Sequence, residues 1–253
     1  MSRDLETSQR FYGAVLGWQF RHGKLGETFS VAEVDGLPVA GIGALAAEMA
    51  ATTVTWTPYF AVDDADKAVD RIRERTGTVA VGPLALGEQG RAALAADPDG
   101  AVFGIWEGQV RSEWRVGTGP APAWLELRTR NAFDAALFYG EVLEWATGRP
   151  DRCEVAYEED KVVLRQGGEP VARLSGQALE PAAFDPQVRP RWHVHFRVAA
   201  LEPAVAAALS LGGHRASAVH TSDRERCVTL RDPDGALFDI TEGGRDSAAP
   251  QRE

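Results

Sequence analysis

Two histidines and two carboxylates occupy strand-like segments in the second half of this 253-residue chain. His193 and His195 alternate with apolar residues in Arg191–Val198, and Asp239 alternates with apolar residues near the end of the chain. Histidine has the ordinary pKa closest to neutrality, and a neighbouring carboxylate orients its ring for proton transfer. This pattern predicts an acid–base site whose main catalytic candidates are His193 and Asp239, with Glu126 and His195 as further members.

Strand geometry predicts a shared surface for these side chains. Successive residues of a strand point to opposite faces, so apolar alternate positions predict which face packs on helices. The same alternation recurs at residues 124–128, 170–174 and 236–241. We expect one concave surface in the second half to collect Trp124, Glu126, Arg128, Arg173, His193, His195, Arg197 and Asp239. The alternation also fits a solvated edge strand whose histidines pair with surface carboxylates.

Two further roles follow from residue type on this surface. Arg128 and Arg173 would hold an anionic or enolate oxygen, with Arg197 as a further substrate-binding cation. Trp124 offers an apolar platform for a flat or cyclic ligand, although simple filling of the core explains it equally well. The matching faces of the first half present no acid or base, so we expect that half to be structural or a ligand wall, with Tyr59 and Trp106 as stacking surfaces.

The elements that carry these residues are predicted by periodicity and turn chemistry. Apolar residues at helical spacing indicate four helices, and Asn131 is a typical N-cap residue. The predicted helices cover residues 4–16, 65–75, 131–143 and 201–211. Alternation and turn residues predict strands in the second half at 123–129, 154–157, 161–165, 170–174, 191–198, 215–219, 226–230 and 236–241.

An internal duplication organises the chain. FYGAVLGW at 11–18 returns as FYGEVLEW at 138–145, and DPDGAVFGIWE from Asp97 returns as DPDGALFDITE from Asp232. We expect an N-terminal domain over 1–110, a Gly- and Pro-rich linker over 111–122, a C-terminal domain over 123–243 and a flexible tail over 244–253. The first module lacks the strand that precedes the corresponding helix of the second half. The DPDG motif itself is expected to be only a hairpin turn.

Composition excludes several classes of function. The chain carries 27 Lys and Arg against 37 Asp and Glu, a net charge of −10 that disfavours nucleic-acid binding. No run of 18 apolar residues or secretory leader is evident, so a cytoplasmic protein without a membrane partner is predicted. Cys153 and Cys227 have no metal-site spacing and are expected to be ordinary thiols. The expected partner is a small-molecule metabolite, and the expected state is a monomer or homodimer.

The repeated FYxxxLGW and DPDG motifs, in units of one strand, one helix and three strands, resemble the vicinal oxygen chelate superfamily of glyoxalases, bleomycin-resistance proteins and extradiol dioxygenases. The resemblance covers nearly the whole chain and implies an α+β fold of four βαβββ modules, paired into two domains with curved, cup-forming mixed sheets. In that family, metal ligands come from the first and last strands of a unit. The matching positions here are Trp124, Arg173, His193 and Asp239 in the second half and Gly41, Thr57 and Gly104 in the first.

Only two of these positions, His193 and Asp239, carry ligand-type side chains, and Arg173 would repel a dication. We therefore expect no cofactor and favour metal-independent acid–base chemistry by a lyase, isomerase or hydrolase in the C-terminal cup. One alternative is a non-catalytic protein that sequesters an antibiotic or toxic metabolite. The other is a dioxygenase or glyoxalase holding iron, zinc, manganese or nickel through Glu126, His193 and Asp239.

Overall fold

The computed structural model describes residues 1–23, 26–46, 51–110, 116–117, 121–145, 153–158, 161–176, 190–222 and 225–243. The predicted tail at 244–253 and most of the predicted linker lie outside the described residues. Within the described residues, no helix has the length and apolar character needed to cross a membrane.

The first half of the chain alternates helices with strands that pair mostly antiparallel, except that β4 and β7 are parallel. Its elements are, in chain order, α1 (Leu5–Leu16), β1 (Gln19–Gly23), β2 (Gly26–Val34), β3 (Leu37–Gly43), β4 (Tyr59–Ala61), α2 (Ala65–Glu74), β5 (Thr78–Ala85), β6 (Gly90–Ala96) and β7 (Val102–Gly108). Helix α1 begins after Asp4, whose carboxylate accepts a hydrogen bond from the Thr7 amide, and it ends at Gly17, whose φ of 71° suits glycine.

The second half repeats this order with one additional strand before its first helix and one more after its second helix. Its elements are β8 (Trp124–Arg128), α3 (Ala132–Leu143), β9 (Glu154–Glu158), β10 (Lys161–Gln166), β11 (Glu169–Ser175), β12 (Arg191–Val198), α4 (Leu201–Ser210), β13 (His214–Arg215), β14 (His220–Ser222), β15 (Glu225–Arg231) and β16 (Leu237–Glu242). The Asn131 side chain caps α3 as predicted, because it accepts from the amides of Phe133 and Asp134. The predicted strand at 215–219 is wrong, since only Arg215 of it is in a strand.

Tertiary contacts divide the chain into two compact units that each combine both halves of the sequence. Unit 1 comprises Met1–Thr55 and His195–Glu253, and unit 2 comprises Trp56–Val194. In unit 1, α1 packs with α4, and the sheets are β1-β2-β3 and a sheet in which β15 and β16 neighbour the end of β12. In unit 2, α2 packs with α3, and the strand orders are β4-β7-β6-β5 and β8-β11-β10-β9.

A tyrosine–aspartate hydrogen bond in each unit joins the two repeated motifs crosswise. Tyr12 of the first FYG motif donates to Asp232 of the second DPDG motif at 2.7 Å, and both side chains are buried. Tyr139 of the second FYG motif donates to Asp97 of the first DPDG motif at 3.0 Å. Each motif pair therefore links segments more than 40 residues apart. The DPDG motif forms a turn and also supplies the aspartate that accepts this hydrogen bond.

The strand missing from the first module is represented by one parallel bridge. Ser2 pairs with Ala44, which follows β3, and the Ser2 amide donates to the Gly43 carbonyl at 2.8 Å. The Ser2 hydroxyl is buried and donates to Asp234 at 2.9 Å. In the second half, a full strand, β8, runs parallel to β11 at the corresponding position.

Candidate functional site

In unit 1, Phe196 of β12 and Phe238 of β16 pack with aromatic residues of helix α1 and of the segment that follows it. The Phe196 ring contacts Trp18 at a centroid distance of 5.0 Å, and Phe238 of β16 contacts Phe11 at 6.1 Å. Because β12 and β16 are parallel with His195 aligned to Asp239, these two side chains share the opposite face of the sheet. The alternation used in the sequence prediction is therefore observed here.

His195 and Asp239 form a buried pair on that face. The His195 Nε2 lies 3.8 Å from the Asp239 carboxylate, within ion-pair range but beyond a normal hydrogen bond. Their exposed fractions are 2% and 0%. Thr229, aligned with Asp239 across the β15–β16 hairpin, donates its hydroxyl to the other carboxylate oxygen at 2.6 Å. One carboxylate oxygen of Asp239 thus accepts from Thr229, and the other faces the His195 imidazole.

The sequence prediction paired Asp239 with His193, whereas the register places His195 beside it. His193 is 2% exposed and belongs to unit 2. Thr229 was not anticipated, although alternation along β15 places it on the same polar face. Arg197 lies farther along β12, where its guanidinium contacts Glu225 at 3.0 Å at a partly exposed position.

The remaining predicted site residues lie in unit 2. The Arg173 guanidinium carbon stands 4.4 Å from the ring centre of Trp124, in cation–π geometry, and both side chains are less than a tenth exposed. Glu126 accepts from Arg128 Nε at 3.1 Å and from the Ser175 hydroxyl at 3.2 Å. In the structure, the eight residues expected on one surface therefore divide between the two compact units.

Aromatic rings cover Gly41 and Gly104, two positions of the first half at which the resemblance implies metal ligands. A Cβ built on Gly41 would overlap the Phe29 ring, and one built on Gly104 would overlap three ring atoms of Tyr59. Trp106 lies against Gly90 and Gly108, where built Cβ atoms would stand 3.1 and 3.2 Å from its indole ring. These rings occupy space into which a ligand side chain would otherwise project.

The donor set of the described residues does not fit a metal ion. Zinc and non-haem iron sites in proteins use three or four protein ligands, often histidine and carboxylate together. His195 and Asp239 supply two, and no group of three or more His, Cys, Asp or Glu side chains suited to a metal occurs among the described residues. Two of the positions at which the resemblance implies ligands hold Arg173, a cation, and Trp124.

Family comparisons match both halves of the chain. Residues 1–105 match the model of the glyoxalase/bleomycin resistance protein/dioxygenase superfamily. Residues 124–241 match the model of a glyoxalase-like domain.

Two curated relatives are similar over most of the chain. "Putative glyoxylase CFP32" of Mycobacterium tuberculosis is 28% identical over 243 residues, which are 94% of this chain and 90% of that protein. "Anthracycline biosynthesis protein DnrV" of Streptomyces peucetius is 33% identical over 188 residues, which are 74% of this chain and 65% of that protein.

Solved structures share the fold at low identity. The Mn(II)-bound glyoxalase from Novosphingobium aromaticivorans has a TM-score of 0.57 and 16% identity, and the match covers 95% of this chain and 78% of that one. A catechol 2,3-dioxygenase has a TM-score of 0.59 and 14% identity, with 99% and 87% covered. At these identities, the likeness concerns the α+β fold alone.

Proposed function

Because the chain belongs to the glyoxalase, bleomycin resistance and dioxygenase group of the vicinal oxygen chelate superfamily, we propose that it is an enzyme acting by metal-independent acid–base chemistry on a small oxygenated metabolite. The proposal assigns proton transfer to His195 in unit 1. It gives the chain a lyase-, isomerase- or hydrolase-type reaction, since each begins or ends with a proton moved at carbon or oxygen.

The buried His195–Asp239 pair is the observation that supports this assignment. A general base must lie within reach of the proton that it removes and must be oriented by a second group. Asp239, fixed by the Thr229 hydroxyl at 2.6 Å, faces the imidazole at 3.8 Å. The carboxylate would stabilise the imidazolium that forms when His195 takes a proton. At 2% exposure, the ring is reached only when a substrate displaces the side chains that cover it.

The metal-independent part of the proposal rests on the donor set. A metal at the His195–Asp239 pair would have two protein ligands from this face, where related chemistry needs three or four. The positions in unit 2 at which the resemblance implies ligands are Thr57, Gly104, Trp124, Arg173 and His193, and only His193 among them is a ligand type. We therefore route the reaction through the imidazole and derive no step through a metal.

The names of the relatives suggest the class of substrate. One is named a glyoxylase and another an anthracycline biosynthesis protein, and both names concern oxygen-rich carbon compounds. In such molecules, a C–H next to a carbonyl is acidic enough for histidine to remove its proton. The proposed substrate is therefore a compound with a hydroxyl or thioether carbon beside a carbonyl.

Exchange of the α-proton with solvent tests the proposal directly. The purified protein would be incubated in D₂O with small α-hydroxy ketones and with hemithioacetals made from 2-oxoaldehydes and a thiol. Proton NMR then follows loss of the α-proton signal. We expect exchange by the wild type and a rate about 100-fold lower in His195→Gln, the lower end of the usual contribution of a general base.

Two matched histidine variants serve as controls. His214→Gln changes an exposed histidine on β13 and should exchange at the wild-type rate. His193→Gln distinguishes this assignment from the one based on sequence alone, and it too should retain the rate. Equal rates in His195→Gln and the wild type, with folding verified by circular dichroism, would overturn the role of His195. No exchange by the wild type with any compound would overturn the substrate class.

A further inference from the structure

A cysteine and a histidine face each other across two strands of unit 1. Strands β14 and β15 pair antiparallel, with His220 directly opposite Cys227. The Cys227 Sγ lies 3.2 Å from the His220 Nε2, within hydrogen-bonding distance of a thiol. It also lies 3.6 Å from the His220 carbonyl oxygen, which is a longer contact. The thiol and the imidazole therefore have the separation that proton transfer between them requires.

A backbone carbonyl determines which nitrogen of this histidine carries the hydrogen. The His220 Nδ1 lies 3.3 Å from the Ala218 carbonyl oxygen. Since a carbonyl oxygen only accepts, Nδ1 carries the hydrogen and donates it. In the neutral ring, Nε2 is then the acceptor that faces the Cys227 thiol. A nucleophile, a base and a group that orients the base are thus present together, which is the arrangement that activates a cysteine.

A buried hydroxyl adjoins the cysteine on the next strand. Thr241 of β16 is aligned with Cys227 across the β15–β16 hairpin, so the two side chains lie on one face with Cβ atoms about 5 Å apart. Thr241 is 1% exposed, and its hydroxyl has no hydrogen-bond partner in the part of the chain that the structure describes. Because buried polar groups are nearly always hydrogen-bonded, this hydroxyl beside a nucleophile points to a small polar ligand.

The surroundings of the sulfur favour a ligand that is both small and uncharged. Cys227 is 1% exposed, whereas His220 on β14 is exposed, so a molecule of a few atoms would reach the sulfur past the imidazole. Within two residues along β15 and β16, the charged groups on this face are the carboxylates of Glu225 and Asp239. Glu225 is paired with Arg197 at 3.0 Å. The carboxylates disfavour an anionic reagent.

We propose that Cys227 is a peroxide-reactive thiol, deprotonated by His220 and oxidised by a small hydroperoxide that hydrogen-bonds to Thr241. The thiolate attacks one peroxide oxygen, so an S–O bond forms and the O–O bond breaks. The sulfur loses two electrons and becomes a sulfenic acid, while the departing hydroxide takes the proton held by His220 and leaves as water. Two molecules of an external thiol would return the sulfenic acid to the thiol through a mixed disulfide.

This reaction occurs on the sulfur itself, so the proposal does not rest on proton transfer by His195. It is tested on the full-length chain carrying Cys153→Ser, in which Cys227 is the one remaining cysteine. The reduced protein is mixed at pH 7 with hydrogen peroxide and dimedone, a reagent that traps sulfenic acids. Mass spectrometry then gives the rate at which the dimedone adduct forms.

The expected rates follow from the ionised fraction of the thiol. An ordinary thiol with a pKa of about 8.5 is about 3% ionised at pH 7, so complete transfer of its proton would raise the rate about 30-fold. We expect His220→Gln to react about 10–30-fold more slowly than the Cys153→Ser parent. Thr241→Val should react about fivefold more slowly, as expected from loss of one hydrogen bond. The bulkier cumene hydroperoxide should react more slowly than hydrogen peroxide.

His214→Gln is the matched control, because it changes an exposed histidine on β13 and should react at the parent rate. The ratio of the parent rate to the His220→Gln rate should fall as the pH is raised to 9.5, because hydroxide then removes the thiol proton. A purely structural defect would leave this ratio constant, and circular dichroism verifies that each variant folds. The proposal is overturned if the parent forms no adduct, if His220→Gln reacts as fast as the parent, or if the ratio does not change with pH. Equal rates with the two peroxides would overturn the restriction to a small hydroperoxide.

Discussion

The crosswise hydrogen bond between Tyr139 and Asp97 gives the sharpest prediction about stability. Tyr139 is fully buried, its hydroxyl donates to Asp97 at 3.0 Å, and it accepts from Trp192 Nε1 at 3.0 Å. Burial, and next the Asp97 charge, raise the pKa of Tyr139 well above its usual value, so the hydroxyl stays protonated and donates. Tyr139→Phe keeps the ring and its stacking on Trp145 while removing both hydrogen bonds.

The magnitude follows from what the variant leaves behind. A hydrogen bond to a carboxylate contributes about 1.5–3 kcal/mol, and a buried donor left without an acceptor costs about 1–3 kcal/mol. Here the Asp97 carboxylate keeps the amide donors of Asp99 and Ala101, whereas the Trp192 N–H loses the acceptor that Tyr139 provides. Since these two effects share one hydroxyl and do not add fully, we expect a loss of about 2–4 kcal/mol in the free energy of unfolding.

Urea unfolding at neutral pH measures this loss. Tyr12→Phe removes the equivalent bond to Asp232 and should cost about 1.5–3 kcal/mol, the usual contribution of a hydrogen bond to a carboxylate. Tyr157→Phe changes an exposed ring and should stay within about 0.5 kcal/mol of the wild type. If Tyr139→Phe proved as stable as Tyr157→Phe, the crosswise bonds would not stabilise the fold.

Two further predictions concern pH and helix capping. Burial raises the pKa of Asp97, so the folded protein holds this proton more tightly than the unfolded chain, and the associated stability is lost as pH rises through the raised pKa. Asp97→Asn should therefore show a smaller fall in unfolding free energy between about pH 4 and pH 7 than the wild type, measured by urea unfolding, and an unchanged slope would contradict this. Asn131→Ala should cost about 1 kcal/mol by removing the cap of α3, whereas Asn131→Asp should be nearly neutral in the same assay.

Local features of the fold could be predicted because they depend on near neighbours in the sequence. The N-cap at Asn131 and the four helices follow from residue type and spacing, and the structure confirms them within a few residues. The end of β13 at Arg215 could not be predicted, because the Ser217 hydroxyl accepts from the Thr229 amide and breaks the regular ladder. A hydrogen bond between a side chain and a nearby backbone group cannot be predicted from the alternation of apolar and polar residues.

Pairing between the halves could not be predicted for a different reason. Tyr12 and Tyr139 lie in nearly identical motifs, as do Asp97 and Asp232, so local sequence gives neither tyrosine a preference for one aspartate. The compact units therefore combine segments that the duplication alone would keep apart.

The candidate site shows the same limit on a smaller scale. His193 and His195 occupy equivalent positions in the apolar–polar alternation of β12, so alternation alone does not choose between them. The parallel register of β12 with β16 places His195 beside Asp239. Thr229 likewise becomes relevant through the hairpin register that aligns it with Asp239. The face of a strand can be predicted from alternation, whereas its register depends on contacts between distant segments.

Proton transfer by His195 without a metal can be tested by comparing the wild type with one variant under metal-free conditions. The α-proton exchange rate would be measured for wild type and His195→Gln after chelator treatment, with residual metal determined by elemental analysis. We expect the metal-free wild type to keep its full rate and His195→Gln to be about 100-fold slower. A rate that falls on chelation and returns with added Mn²⁺, or a His195→Gln rate equal to that of the wild type, would contradict the account.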